Sequence, residues 1–167
     1  NGISGKGNAM YEGTNQCRTS YSYSGEVYND VYYTTAYLQK SVVAINASNG
    51  KCVKRYNLGF YPYNMTINQD TGYLYVGGND GYKTINLSNH SMSDCNLDAQ
   101  FRRGYASTIG AGVLYTFNNG YVTKGTLSTS GNRCPIRKQN PAFRYREGAY
   151  VGLQSNPSSS TELWTIS

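Results

Sequence analysis

The chain has 167 residues, with 18 Tyr, 19 Gly and 18 Asn, only 14% charged residues and a net charge of +6. That length suits a single domain, residues 1–167, with a real buried core. The longest apolar run, Val42 to Ile45, is far too short to cross a bilayer, so no transmembrane segment is expected, and no helix-period apolar stripe of useful length occurs.

Taken in chain order, residues 1–16, NGISGKGNAMYEGTNQ, read as a Gly-rich lead-in. A chain that begins at Asn1 rather than Met fits a processed, secreted protein or a trimmed piece of a longer chain. Cys17, Cys52, Cys95 and Cys134 then mark four repeat starts, separated by 35, 43 and 39 residues. Each cysteine opens a short polar strand: CRTSYSY, CVKRYNL, CNLDAQF and CPIRKQN. An aromatic, alternating segment follows: SYSYSG, YNMTINQ, YASTIG and FRYREG. A second strand comes next, DVYYTTA, GYLYVGG, GVLYTFN and GAYVGLQ, and then a third, KSVVAINA, YKTINLS, YVTKGTL and TELWTIS. Tyr, Thr and Val favour strands, while Gly and Asn favour turns. Self-similarity near 40 residues with four strands per unit predicts an all-β, four-bladed β-propeller. The rival reading is a β-trefoil, which needs three such units rather than four. The last repeat ends after its third strand, so its fourth is expected from the Cys17 stretch, pairing near Trp164 and closing the ring.

Residues 51–78, KCVKRYNLGFYPYNMTINQDTGYLYVGG, resemble the YVTN-type β-propeller repeat through Gly59, Tyr61-Pro62 and Leu74-Tyr75-Val76. The resemblance implies a fold and no particular chemistry. Members commonly have more than four blades.

Cysteine usage points to an oxidising, extracellular compartment. As openers of outermost strands, the four cysteines are expected at equivalent sites. Pairing Cys17–Cys52 with Cys95–Cys134, pairing Cys52–Cys95 with Cys17–Cys134, bonds between chains, and free buried thiols all remain open. No CxxC spacing occurs, so no metal site is expected. Sequons at Asn46, Asn64, Asn86 and Asn89 suggest a glycoprotein, although the Asn, Ser and Thr content would nearly produce that number by chance.

Residues 95–150 hold Arg102, Arg103, Lys124, Arg133, Arg137, Lys138, Arg144 and Arg146 against Asp98 and Glu147. Such a patch attracts anionic partners. The extracellular signs turn that expectation toward acidic glycans and away from nucleic acid. Catalysis is poorly equipped. The sole histidine, His90, sits in a turn where exposure is expected. Asp70, Asp80 and Asp94 also lie in turns, and no nucleophile elbow, HExxH helix or phosphate loop is present. No enzyme and no cofactor are expected.

Tyrosine is what the chain offers. Tyr33, Tyr75 and Tyr115 share one repeat position with Val151, which marks them as core. Tyr21, Tyr63, Tyr105 and Tyr145 (or Phe143) fall near the innermost strands and are the candidate stacking platforms, one per repeat. The expected function is lectin-like, multivalent carbohydrate recognition by a secreted protein. The alternative is a secreted structural, storage or egg-fluid carrier subunit that forms homo- or hetero-oligomers and holds an apolar ligand.

Overall fold

A computed structural model of the chain describes residues 15–118 and 121–137, together with the backbone of the strands at 143–144, 152–155 and 163–166. The chain is all-β. Its first sheet runs β1 (Gly25–Tyr28), β2 (Val31–Ala36), β3 (Ser41–Asn46) and β4 (Cys52–Asn57), antiparallel and in chain order. The second repeats that order with β5 (Pro62–Asn68), β6 (Tyr73–Gly78), β7 (Tyr82–Asn86) and β8 (Met92–Asp94). A four-residue helix, α1 (Ala99–Arg102), leads into the third sheet. That sheet holds β9 (Ala106–Gly110), β10 (Val113–Asn118), β11 (Tyr121–Thr126) and β12 (Ile136–Arg137), with β13 (Phe143–Arg144) on the same free side of β11 as β12. The hairpin β14 (Gly152–Ser155) and β15 (Leu163–Ile166) completes the described strands.

Period-two alternation sends each sheet's apolar residues to two faces, and the sheets pack through them. Tyr33, Val42, Ala44 and Tyr56 of the first sheet share one core with Met65, Ile67, Leu74, Val76 and Ile85 of the second. Tyr75 and Tyr82, on the opposite face of the second sheet, pack with Phe101 and Leu114 toward the third. Tyr33, Tyr75 and Tyr115 are all buried, as their shared position predicts.

Turn chemistry sets the third-to-fourth strand connections. Asn46 Oδ1 accepts from Ser48 N at 2.9 Å, and its counterpart Asn86 Oδ1 accepts from Ser88 N at 3.0 Å. Gly50 N closes the first of these turns on Asn46 O at 2.8 Å, and His90 N closes the second on Asn86 O at 2.7 Å. Gly50 has φ 71 and His90 φ 66, so the histidine adopts the left-handed conformation that a glycine holds in the sister turn.

Four expectations are corrected. The segment CNLDAQF is no strand: β8 ends at Asp94, and Ala99–Arg102 is helical. The stretch after Cys17 is no strand either. Asn15–Cys17 is a 3-10 turn lying against β3 and β4, and residues 18–24 are irregular up to β1. Among the described residues β15 pairs with β14 alone, not with the Cys17 stretch. Of the segment FRYREG, the described residues Phe143–Arg144 do not open a fourth sheet: they pair with β11 and extend the third sheet's outer side.

The cysteines are not equivalent. Lys54 and Ser93 occupy matching register positions, through Ala44 and Thr84 to Tyr33 and Tyr75. Cys52 precedes Lys54 by two residues and Cys95 follows Ser93 by two, so they sit at opposite ends of their strands. Cys17–Cys52 ties the lead-in to the first sheet, and Cys95–Cys134 staples the second sheet to the third.

Candidate functional site

The site begins with the first strand of each sheet. β5 lies against β1 and β2, β9 against β5, and β14 against β9. Glu26, Thr66 and Thr108 are the register partners of the buried Tyr33, Tyr75 and Tyr115. Three residues before these partners stand Tyr23, Tyr63 and Tyr105. Stacked first strands therefore bring three equivalent tyrosines side by side. Tyr23 and Tyr63 have ring centroids 5.9 Å apart, and Tyr63 and Tyr105 lie 5.2 Å apart. Tyr23, Tyr63 and Tyr105 thus form one aromatic surface rather than separated sites.

Of the candidates, Tyr63 and Tyr105 meet here. Tyr21 does not: it is 68% exposed, with φ 53 in the irregular stretch before β1, and Tyr23 takes its place. The residue type and side of the strand were legible, but the two-residue offset depended on where β1 starts. Tyr145 lies outside the described residues.

Tyr37, in the turn after β2, inserts between Tyr23 at 5.3 Å and Tyr63 at 5.6 Å, and Tyr61 lies 4.9 Å beyond it. Lys40 Nζ sits 4.6 Å over the Tyr61 ring. A hydrogen bond with the Tyr37 hydroxyl, then burial and the surrounding phenols, pushes the Tyr63 phenol up to about 12. Sequence reasoning missed Tyr23, Tyr37 and Tyr61. Their only signal is the density of tyrosine around strand ends.

Between the second and third sheets the surface opens into a cleft of about 400 Å³. Tyr63, Tyr105 and Tyr121 line it with Asn79, Gln100, Arg103 and Asn118. One exchange contributes to its opening. Tyr37 stands four residues after Tyr33, and at the matching position, four after Tyr75, stands Asn79. The first junction is filled by a phenol where the second has a small amide. The floor is fixed from behind. Arg102 Nε and Arg103 Nε both donate to Asn79 O, at 3.2 and 3.1 Å, and Asn118 Nδ2 donates to Gln100 O at 3.3 Å. α1 reaches this place because Gly77 leaves room: a Cβ there would lie 2.6 Å from Arg102 O.

Among the described residues the basic side chains take different partners. Arg103 lines the cleft. Arg137 instead pairs with Asp98 at 2.8 Å and lies 5.5 Å over the Phe101 ring, while Arg133 lies over Tyr73. Burial alone would raise the Asp98 carboxyl, but the bond to Arg137 and backbone N–H groups holds it below its ordinary value. Lys138 and Arg146 lie outside the described residues. His90 is exposed, as its turn predicts, yet its Nδ1 hydrogen-bonds the buried Tyr56 hydroxyl at 2.7 Å.

Among the sequons, Asn64 is 1% exposed, and its Nδ2 donates to Arg102 O at 3.0 Å and Gly104 O at 2.8 Å. That nitrogen is closed to glycan attachment in the folded chain. Asn46 and Asn86 are half-buried turn residues, and Asn89 is exposed. Among the described residues no group of His, Cys, Asp and Glu is arranged to hold a metal ion. No helix there is long and apolar enough to cross a membrane.

No protein-family model and no curated protein sequence matches this chain. Solved structures do match its fold. Hydrazine synthase from Kuenenia stuttgartiensis superposes with a TM-score of 0.59 at 11% identity, over 77% of this chain and 36% of its own. A functionally unknown protein from Desulfotomaculum acetoxidans DSM 771 superposes with a TM-score of 0.64 at 11% identity, over 82% of this chain and 46% of its own. The chain therefore spans less than half the length of either. At this identity the likeness concerns the fold alone.

Proposed function

We propose that this protein is a secreted, non-enzymatic carbohydrate-binding module whose site is the cleft at Tyr63, Tyr105 and Tyr121. The observation that carries this is the cleft's lining among the described residues: phenol faces for stacking on a sugar ring, amides for its hydroxyls, and the Arg103 guanidinium. Arg103 gives acidic sugars the advantage over neutral ones, and salt weakens that advantage. Among the described residues the cleft has no counterpart at the first junction, where Tyr37 fills the matching place. Two disulfides fit an oxidising compartment, and the exposed Asn89 is the sequon best placed to carry a glycan.

The three sheets fit consecutive blades of a β-propeller, since each is a four-strand antiparallel meander with its first strand against the next sheet's first strand. Titration calorimetry with glucuronic acid and glucose tests the binding reading. Glucuronic acid should bind at one site per chain, and Tyr63→Ala and Tyr105→Ala should each abolish it. No heat with either sugar at millimolar concentration defeats the reading.

The structural or carrier alternative draws on one observation. Val53, Met92 and Ile136, on the outer strands β4, β8 and β12, are all exposed apolar residues. Light scattering that finds a large assembly, together with silent calorimetry, selects it.

A further inference from the structure

The tyrosine cluster has a chemical consequence that is independent of sugar binding. Tyr37 is its hub, with Tyr61, Tyr23 and Tyr63 all within 5.6 Å of its ring centroid. The Tyr37 and Tyr61 rings lie closest, at 4.9 Å, and are inclined by only 31°. Tyr23 meets Tyr37 edge-on at 80°. Neither partner sits inside a strand: Tyr37 opens the turn between β2 and β3, and Tyr61 precedes β5. Their rings can shift without breaking ladder hydrogen bonds. Tyr23 is 47% exposed and touches both Tyr37 and Tyr63, so an oxidant in solution reaches the cluster through it. The core tyrosines differ: Tyr82 is buried against Phe101, and Tyr56 against His90.

We propose that Tyr37 and Tyr61 are an oxidative cross-linking site, joined as dityrosine by a one-electron oxidant such as a haem peroxidase with hydrogen peroxide. Each phenol loses one electron and its hydroxyl proton. The two phenoxyl radicals couple through the carbons ortho to oxygen, forming one C–C bond. The two hydrogens on those carbons then move to the oxygens and restore both phenols. The pair loses two electrons and two protons in all, and one hydrogen peroxide takes them up to become two waters. The bond joins the first sheet to the second, as Cys95–Cys134 joins the second to the third.

The test treats dilute protein with a haem peroxidase and limiting hydrogen peroxide, followed by reduction, trypsin and mass spectrometry. Cleavage after Arg18, Lys40, Arg55 and Lys83 separates the partners into the peptides 19–40 and 56–83. The expected product is these two peptides linked, two hydrogens lighter than their sum, with fragmentation placing the bond at Tyr37 and Tyr61. Tyr37→Phe should lose it, and Tyr21→Phe should keep it. Linkage that survives Tyr37→Phe, linkage through Tyr63, or products formed only between chains overturns the proposal.

Discussion

At the scale of the residue, one exchange decides what the surface can hold. Tyr37 and Asn79 occupy matching positions, and the phenol closes its junction while the amide leaves a cleft. Asn79→Tyr should therefore abolish glucuronic acid binding and leave Tm unchanged, because the position lies past the end of β6 rather than in the core. Unaltered binding in this variant would show that the cleft is not the site. The buried tyrosines behave in the opposite way. Tyr75→Ala or Tyr115→Ala removes a core ring and should cost about 3–5 kcal/mol in urea unfolding, with the fold otherwise retained.

At the scale of the element, the third sheet departs from the first two, and the site depends on that departure. Leu58 and Leu97 match in register, four residues after Lys54 and Ser93. Five residues separate Leu58 from Tyr63, but eight separate Leu97 from Tyr105. The added length is wound into α1, which supplies Ala99 and Gln100 to the cleft and is tied to β12 by Asp98 and Arg137. The Cys95–Cys134 bridge, closing a separation of 39 residues, restrains the same region. Replacing both cysteines by Ser should lower stability by about 4 kcal/mol on the chain-entropy estimate. It should also weaken ligand binding, because the seam beside the cleft loosens. Undisturbed binding in a destabilised double variant would separate the bridge from the site.

At the scale of the whole molecule, the sheets share cores built on tyrosine, and this gives the protein an alkaline limit. Burial pushes the Tyr56 and Tyr75 phenols up to about 12, the hydrogen bond with Tyr37 does the same for Tyr63, and burial carries Tyr82 well above its ordinary value. An unfolded tyrosine titrates near ~10. The fold therefore favours the neutral phenols, and their contribution is complete below pH ~10 and is lost as pH rises from there toward 12. Tm should fall steeply above pH ~10, and phenolate absorbance should appear in two steps, exposed tyrosines first. A flat Tm to pH 12 together with a single-step titration would contradict this account of the core.

Local rules wrote much of this structure into the chain. The hairpins β6–β7 and β10–β11 follow from apolar alternation broken by Asn and Gly, and the burial of Tyr33, Tyr75 and Tyr115 follows from their common position. These features depend on residues a few places apart, so period and turn chemistry suffice to read them. The tertiary structure decided the rest. It chose Tyr23 over Tyr21, paired Cys17 with Cys52 and Cys95 with Cys134, buried Asn64, wound Ala99–Arg102 into α1 and moved Phe143–Arg144 onto the third sheet. Each of these outcomes turns on how one sheet lies against the next, and an offset of two or three residues in a connection leaves no trace in the pattern of either sheet alone.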